Sequence, residues 1–168
     1  LCKLYSGVSW HHNITVIDNR FISERVNQLR NWNMEFIHGD ILDKELVNKH
    51  FGDADVVHHL AGITSVPRTK SESSKEQDDK IKLVAEAGTE NILNAISKNC
   101  KILFPSTHVV YEGIDKVQLD IKENDDLKPV LSYSSSKAIN ENQLKNSGKN
   151  YIILRLGSVY GYSTDSMR

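Results

Sequence analysis

The alternation of short apolar runs with helical segments constrains the fold of this chain more than any other feature of its sequence. Strands that alternate with helices build βαβ units, and these units assemble into a parallel sheet. Five runs rich in β-branched residues predict strands at 14–17, 34–38, 55–60, 101–104 and 151–155. Helical spacing and capping residues predict helices at 1–5, 21–30, 43–50, 81–98 and 133–146, with a loop and helix entry at 69–82 and a polar loop at 114–128.

This pattern predicts a single α/β domain over residues 1–168, with a doubly wound, Rossmann-like parallel sheet. The runs are apolar on both faces, as in a sheet that helices cover on both sides. Ligands of such sheets bind at the carboxyl ends of the strands. The residues predicted to lie at those ends are Asp18, Asn19, Gly39, Asp40, Ile41, Leu60, Ala61, Gly62, Ser106, Thr107 and the segment after Arg155.

Tyr133 and Lys137 are four residues apart on a predicted helix, so their side chains share one face. An ammonium near a phenol favours the phenolate, and we therefore expect Lys137 to lower the pKa of Tyr133. Such a phenol can take a proton from an alcohol or return it to a ketone, while the Thr107 hydroxyl holds the same oxygen. Hydride transfer to or from a nicotinamide needs these groups. The alternative is a solvated surface pair, because this spacing arises by chance with odds of roughly one in three.

The other candidates also have a structural alternative. Asp18 could accept the hydroxyls of a ribose or cap a turn, and Asp40 could face an adenine or belong to a turn. Ala61 and Gly62 could allow close approach of a cofactor or serve packing. Adjacent residues of a strand point to opposite faces. His58 and His59 are therefore interpreted as structural.

Composition and charge exclude several function classes. The 168 residues carry a formal net charge of −1 and show no basic stripe, which argues against a nucleic-acid partner. No apolar run is long enough for a membrane span. Cys2 and Cys100 lack metal-site spacing, and His11 and His12 have no third ligand nearby, so no metal site is predicted. The simplest interpretation is a reduced cytoplasmic protein.

Six motifs together resemble the extended short-chain dehydrogenase/reductase family, the NDP-sugar epimerases and dehydratases. Pro129 to Lys137 matches the pattern P-x-x-x-Y-x-x-S-K, and the segment from Phe104 to Tyr111 resembles S-S/T-x-x-V-Y. The order and spacing of the motifs are those of the family across nearly the whole chain. The remaining motifs lie at 16–19, 39–41, 56–62 and 154–161.

The resemblance implies an NAD-dependent oxidoreductase or epimerase acting on a nucleotide-activated sugar. By this resemblance Tyr133 is the proton acceptor, Lys137 also binds the nicotinamide ribose, and Thr107 holds the reacting oxygen. Asp18 favours NAD over NADP, because its carboxylate would repel a 2′-phosphate. The family also implies a homodimer through the helices near 81–98 and 134–146, although their outer faces are polar here. The cofactor contacts that it implies are Asp18, Asn19, Asp40, Ile41, Leu60, Ala61, Gly62, Ser106, Tyr133 and Lys137.

The departures from the family pattern are informative. The sequence contains no glycine-rich G-x-x-G-x-x-G loop, which in this family precedes the first helix. We therefore expect a chain that is incomplete at the N-terminus, lacks the C-terminal substrate region, and leaves two strand edges unpaired between the runs at 14–17 and 55–60. His108 and Val109 replace the Asp-Glu pair of 4,6-dehydratases, which argues against dehydration. Ala85 and Ser158 replace common asparagines and leave the substrate open.

Two alternative functions remain at the level of sequence. The first is a reductase of the same fold that acts on a ketone or alcohol other than a sugar. The second is a non-catalytic regulator that binds a dinucleotide, although such a module does not need Thr107, Tyr133 and Lys137 together.

Overall fold

A computed structural model describes residues 1–64, 69–158 and 160 of the chain. The strands are β1 (Thr15–Asp18), β2 (Glu35–His38), β3 (Val56–His58), β4 (Lys101–Thr107) and β5 (Asn150–Leu156). The α-helices are α1 (Cys2–Tyr5), α2 (Ser23–Asn31), α3 (Lys44–Phe51), α4 (Lys75–Ala95) and α5 (Ser132–Asn146). Short 3₁₀ helices lie at Lys70–Glu72 and His108–Tyr111.

All strand pairs are parallel, which confirms the predicted fold class. β1 pairs with β2 in a two-stranded sheet, and β3, β4 and β5 form a three-stranded sheet in that order. The register joins Thr15 to Glu35 in the first sheet. In the second sheet it joins Val56 to Lys101 and Lys101 to Asn150. No pairing between β1 and β3 is present in the described residues, and this is where two unpaired strand edges were expected.

Side-chain caps set the starts of two helices. The Asp43 carboxylate accepts the N–H groups of Glu45 and Leu46 and begins α3 as predicted. The Ser74 hydroxyl accepts the N–H of Gln77, so α4 begins at Lys75, six residues before the predicted start at 81. Glu76 and Asp78 then lie in the first turn, where negative charge stabilises a helix. The helix entry predicted within 69–82 therefore lies at Lys75, and the helical part of this stretch is longer than predicted.

β4 is longer than predicted, because it continues through Pro105 to Thr107 instead of ending at Phe104. Proline has no N–H to donate to a neighbouring strand, so it is tolerated where one side of the strand is unpaired. In the described structure the pairing of β3 with β4 ends at Leu103, so at Pro105 the strand is paired on one side only, with β5. Ser106 and Thr107 are thus held by the sheet ladder opposite Arg155 and Leu156.

The hydrophobic core lies between the three-stranded sheet and helices α3, α4 and α5. Gly88 of α4 allows this packing, because a Cβ there would lie 2.3 Å from Cδ1 of Ile41. β5 does not follow the prediction of a sheet covered on both faces, since Leu154 is 45% exposed. No helix in the described part of the chain is long and apolar enough to cross a membrane. The core residues are Ile41, Val47, Val57, Ile92, Leu93, Ile96, Cys100, Ile102, Phe104 and Leu144.

Candidate functional site

A small cleft at the carboxyl end of β3 brings together residues that are distant in sequence. Leu60, Ala61 and Gly62 follow β3 and line the cleft together with Tyr133 and Lys137 of α5. A Cβ placed on Gly62 would meet no atom of the described residues within 4 Å, so these residues leave open space next to it. The structure therefore brings the carboxyl end of β3 next to the face of α5 that carries Tyr133 and Lys137.

Lys137 is held between the end of β4 and the cleft. Its ammonium donates a hydrogen bond of 3.0 Å to the carbonyl oxygen of Pro105. The same Nζ lies 4.5 Å from the ring centroid of Phe104 and 5.9 Å from that of Tyr133. Burial lowers the pKa of Lys137 to about 8. The ammonium is thus fixed against β4, one helical turn from the phenol.

The Tyr133 phenol is half-buried, and this burial raises its pKa. The prediction that Lys137 lowers the pKa of Tyr133 is therefore wrong for this structure. The ammonium bonds to Pro105 and lies over Phe104, and it does not approach the phenol closely enough to outweigh the loss of solvent. The neutral phenol is the form that this environment favours.

Thr107 and Ser106 end β4 and are not among the described residues that line this cleft, and their hydroxyls have different partners. The Thr107 oxygen accepts the N–H of Val109 at 3.3 Å and caps the following 3₁₀ helix. The Ser106 hydroxyl is buried and donates to the carboxylate of Glu141 at 2.6 Å. The Ser106 hydroxyl, which was predicted to contact the cofactor, is therefore already hydrogen-bonded to another residue of the protein.

Sequence reasoning missed Glu141, whose side chain is completely buried on α5. Its carboxylate accepts Nε of Arg155 at 2.9 Å and Nη2 of Arg155 at 2.6 Å. Burial would raise the pKa of Glu141, but hydrogen bonds from Arg155 and Ser106 hold it below its usual value. Its position four residues after Lys137, on the same helix face, was the available signal.

His59 is a second buried polar residue whose pKa responds to the charge of Lys137. Nε2 of His59 is 2.8 Å from the hydroxyl oxygen of Thr89, which also accepts the side-chain amide of Asn140 at 2.9 Å. Burial, reinforced by the charge of Lys137, lowers the pKa of His59 to about 4. His58 instead meets the Tyr5 hydroxyl at 2.8 Å, so the two histidines have different protein partners, in line with their structural interpretation. In the described residues no three potential metal ligands come together.

The predicted adenosine contacts lie at the ends of β1 and β2, outside this cleft. The side-chain amide of Asn19 donates to Asp40 at 2.9 Å, which joins the two strand ends. The exposed carboxylate of Asp18 accepts the N–H of Arg20 at 2.8 Å. Ile41 is a buried core residue packed against Gly88, and its carbonyl oxygen accepts the Asn91 side-chain amide at 2.9 Å, so its side chain does not reach the predicted cofactor contact. Val159 and Gly161 of the last motif lie outside the described residues.

Comparison with known proteins is consistent with this geometry. The chain is 32% identical over 162 residues to a putative UDP-glucose 4-epimerase of Methanocaldococcus jannaschii, covering 92% of this chain and 50% of that protein. It is 27% identical over 147 residues to an Arabidopsis thaliana 3beta-hydroxysteroid-dehydrogenase/decarboxylase, covering 79% of this chain and 24% of that protein. The crystal structure of Bordetella bronchiseptica WbmH in complex with NAD+ matches with a TM-score of 0.73 and 27% identity, over 95% of this chain and 51% of that one.

The chain spans about half the length, or less, of the curated relatives that it matches. The match to a family is broader, because it extends over residues 2–168. This extent includes both sheets and the cleft between β3 and α5. The chain therefore belongs to the NAD-dependent epimerase/dehydratase family.

Proposed function

We propose that the protein containing this chain is an NAD-dependent oxidoreductase of the epimerase type that acts on a nucleotide-activated sugar. The observation that carries the proposal is the cleft in which Tyr133 and Lys137 face Leu60, Ala61 and Gly62. The UDP-glucose 4-epimerase relative and the NAD+ complex of the Bordetella protein support the choice of substrate and cofactor.

The residues at the two sets of strand ends fit the two nucleoside halves of NAD. Asp18 and Asp40 offer carboxylate oxygens to ribose hydroxyls and to an adenine edge. The open space above Gly62 and the ammonium of Lys137 suit the nicotinamide riboside. When bound, the nicotinamide supplies the hydride acceptor and donor of the reaction.

Two side chains, Tyr133 and Thr107, handle the oxygen and proton of the substrate. The Tyr133 phenolate accepts the proton of a sugar hydroxyl while the carbon of that hydroxyl loses a hydride. The Thr107 hydroxyl donates a hydrogen bond to the same oxygen. In an epimerase the carbonyl carbon then regains a hydride on its other face while the neutral Tyr133 returns the proton to the keto oxygen, whereas in a dehydrogenase the ketone is released. Because burial raises the pKa of Tyr133, alcohol oxidation should become faster as pH rises.

Tyr133→Phe tests this proposal in the complete natural protein. Removing the hydroxyl should abolish turnover and leave the dissociation constant of NAD within about twofold, because the ring still fills the cleft. Tyr151→Phe is a matched control, since Tyr151 lies at the amino end of β5, away from the cleft. Unchanged turnover in Tyr133→Phe would remove Tyr133 from the mechanism.

The Arabidopsis relative favours one alternative, a dehydrogenase that acts on an alcohol other than a sugar. Inhibition of the enzyme by a nucleoside diphosphate would argue against that alternative. His108 and Val109 stand at the positions where 4,6-dehydratases carry an Asp-Glu pair, which favours an epimerase or dehydrogenase over a dehydratase. The ring of His108 contacts the Leu156 carbonyl at 3.2 Å. NAD binding without any turnover would instead identify a dinucleotide-binding regulator.

A further inference from the structure

A buried ion pair connects all the segments that carry the proposed catalytic groups. We propose that Glu141 and Arg155 form a positioning pair that sets the geometry of Thr107, Tyr133 and Lys137. The kinetic test of this inference rests on the proposed function, whereas the ion pair itself is observed in the structure. Glu141 is on α5, two helical turns after Tyr133 and one turn after Lys137.

The carboxylate of Glu141 is fixed from two directions. Its Oε1 accepts the Ser106 hydroxyl at 2.6 Å and Nε of Arg155 at 2.9 Å, and its Oε2 accepts Nη2 of Arg155 at 2.6 Å. The side chain is 0% exposed, and that of Arg155 is 11% exposed. A buried charge is destabilising unless it is paired and hydrogen-bonded, so the carboxylate has little freedom to take another position.

Arg155 extends the same network across the carboxyl end of β4. Its Nη1 donates to the hydroxyl of Tyr111 and, at 2.8 Å, to the carbonyl oxygen of Glu123. The Tyr111 hydroxyl itself donates to the carbonyl of Lys122 at 3.0 Å. Tyr111 belongs to the 3₁₀ helix that Thr107 caps. One arginine therefore joins β5, the segment after Thr107 and the loop that precedes α5.

The position of this pair gives it a role beyond stability. The Ser106 bond attaches α5 to the residue before Thr107, while the Pro105 bond of Lys137 attaches the same helix one turn earlier. Rotation of α5 is thus restrained at two points on β4, and this rotation determines how Tyr133 faces Thr107. A displacement of about 1 Å in reacting groups can reduce a rate by about 100-fold.

Glu141→Gln tests the pair in the complete natural protein. The amide keeps an acceptor for Ser106 but removes the charge that orders Arg155. We expect kcat to fall by about 10- to 100-fold, while KM for the sugar nucleotide and the dissociation constant of NAD stay within about twofold. Lys145→Gln is the matched control, because Lys145 contacts the same carboxylate at 3.5 Å from a solvent-exposed position. Its kcat should stay within about twofold of the wild type.

Two further variants separate positioning from stability. Arg155→Lys keeps a charge but cannot bond both oxygens, so its kcat should lie between those of the wild type and Arg155→Met. In a double-mutant cycle, Ser106→Ala should add little to the loss caused by Glu141→Ala, which removes the acceptor of the Ser106 hydroxyl, if both act through one bond. An unchanged kcat in Glu141→Gln, or failure of every variant of the pair to fold, would overturn the positioning role.

A crystal structure of Glu141→Gln distinguishes failure of this inference from failure of the proposed function. The separation of the Thr107 and Tyr133 hydroxyl oxygens should change by about 0.5 Å or more relative to the wild type, whether or not the protein turns over a sugar nucleotide. An unchanged separation would overturn the positioning role even if the enzyme is active. A wild-type protein without turnover would overturn the proposed function alone.

Discussion

The two sheets of this protein hold their polar side chains in different ways. Around the three-stranded sheet, His59, Ser106 and Glu141 are buried and bonded to partners that are distant in sequence. At the two-stranded sheet, Asp18 is exposed and its carboxylate accepts the N–H of a residue only two positions away. The first region is interlocked by buried tertiary contacts, and the second is held by exposed bonds, within a turn at Asp18 and between the two strand ends at Asn19 and Asp40.

Under the proposed function, this difference corresponds to different chemical demands. Proton transfer requires side chains that are fixed to a fraction of an ångström, and burial provides this precision while it also shifts pKa values. Recognition of ribose hydroxyls requires only acceptors at the surface of a strand end. The pKa of Lys137 and that of His59 are both lowered by burial on the interlocked side. Variants on the two sides should therefore fail in different ways.

The largest effect is expected for Lys137→Met on the interlocked side. Loss of the ammonium should lower kcat by about 1,000-fold, because under the proposed function it removes the group that holds the cofactor ribose in the cleft beside Tyr133. Stability should be equal to or higher than that of the wild type at pH 7. The folded state lowers the pKa of Lys137 to about 8, so it disfavours the charged form that is present at this pH.

Steady-state kinetics and urea unfolding check both parts of this prediction. The wild type should gain stability between pH 8 and about pH 10.5, where the unfolded chain binds more protons, and Lys137→Met should lose this rise. Lys145→Met, a substitution of the same kind at an exposed position of the same helix, is the control for both assays. A strongly destabilised Lys137→Met would contradict the view that function opposes stability at this residue.

The pH dependence of stability gives the second largest effect. The pKa of His59 is about 4 in the folded protein and about 6.5 when unfolded. The unfolded chain therefore binds more protons between these values, and stability falls as pH falls from about 6.5 to 4, by roughly 3 kcal/mol. His59→Gln should remove this part of the fall, since its amide reaches Thr89 without taking a proton.

Urea unfolding at several pH values checks the role of His59. His38→Gln, which changes an exposed histidine of the two-stranded sheet, should keep the wild-type loss at low pH because His59 is intact. If His59→Gln follows the same curve as the wild type, other groups cause the acid sensitivity and the buried network is not its source.

The sequence predicted the order of the elements and most of the cleft for clear physical reasons. Local patterns such as the Asp43 cap and the Tyr133–Lys137 spacing act within one or two helical turns. Their consequences can therefore be read without knowledge of the rest of the fold. Ala61 and Gly62 were expected near a ligand site because ligands bind at the carboxyl ends of parallel strands, and both residues line the cleft.

Burial and long-range partners could not be obtained in this way. The spacing of Tyr133 and Lys137 suggested a lowered phenol pKa, but the bond from Lys137 to Pro105 and the burial of the ring depend on how α5 packs against β4. The pairing of Glu141 with Arg155 joins a helix to a strand that follows it in the chain. Nothing in the local sequence specifies which charged residues lose their solvent, and this loss determines their chemistry.

The smallest effect is expected at the two-stranded sheet, from Asp18→Asn. Its amide keeps one acceptor oxygen, so the affinity for NAD should fall only about three- to tenfold. The preference for NAD over NADP should narrow, because the repulsion of a 2′-phosphate is lost. Calorimetric titration of the complete protein with both cofactors measures these changes, with the exposed Asp53→Asn as a control at the amino end of β3. A wild-type preference for NADP would contradict the role of Asp18. A large loss of stability in Asp18→Asn would show that this strand end is as tightly coupled to the fold as the Glu141 network.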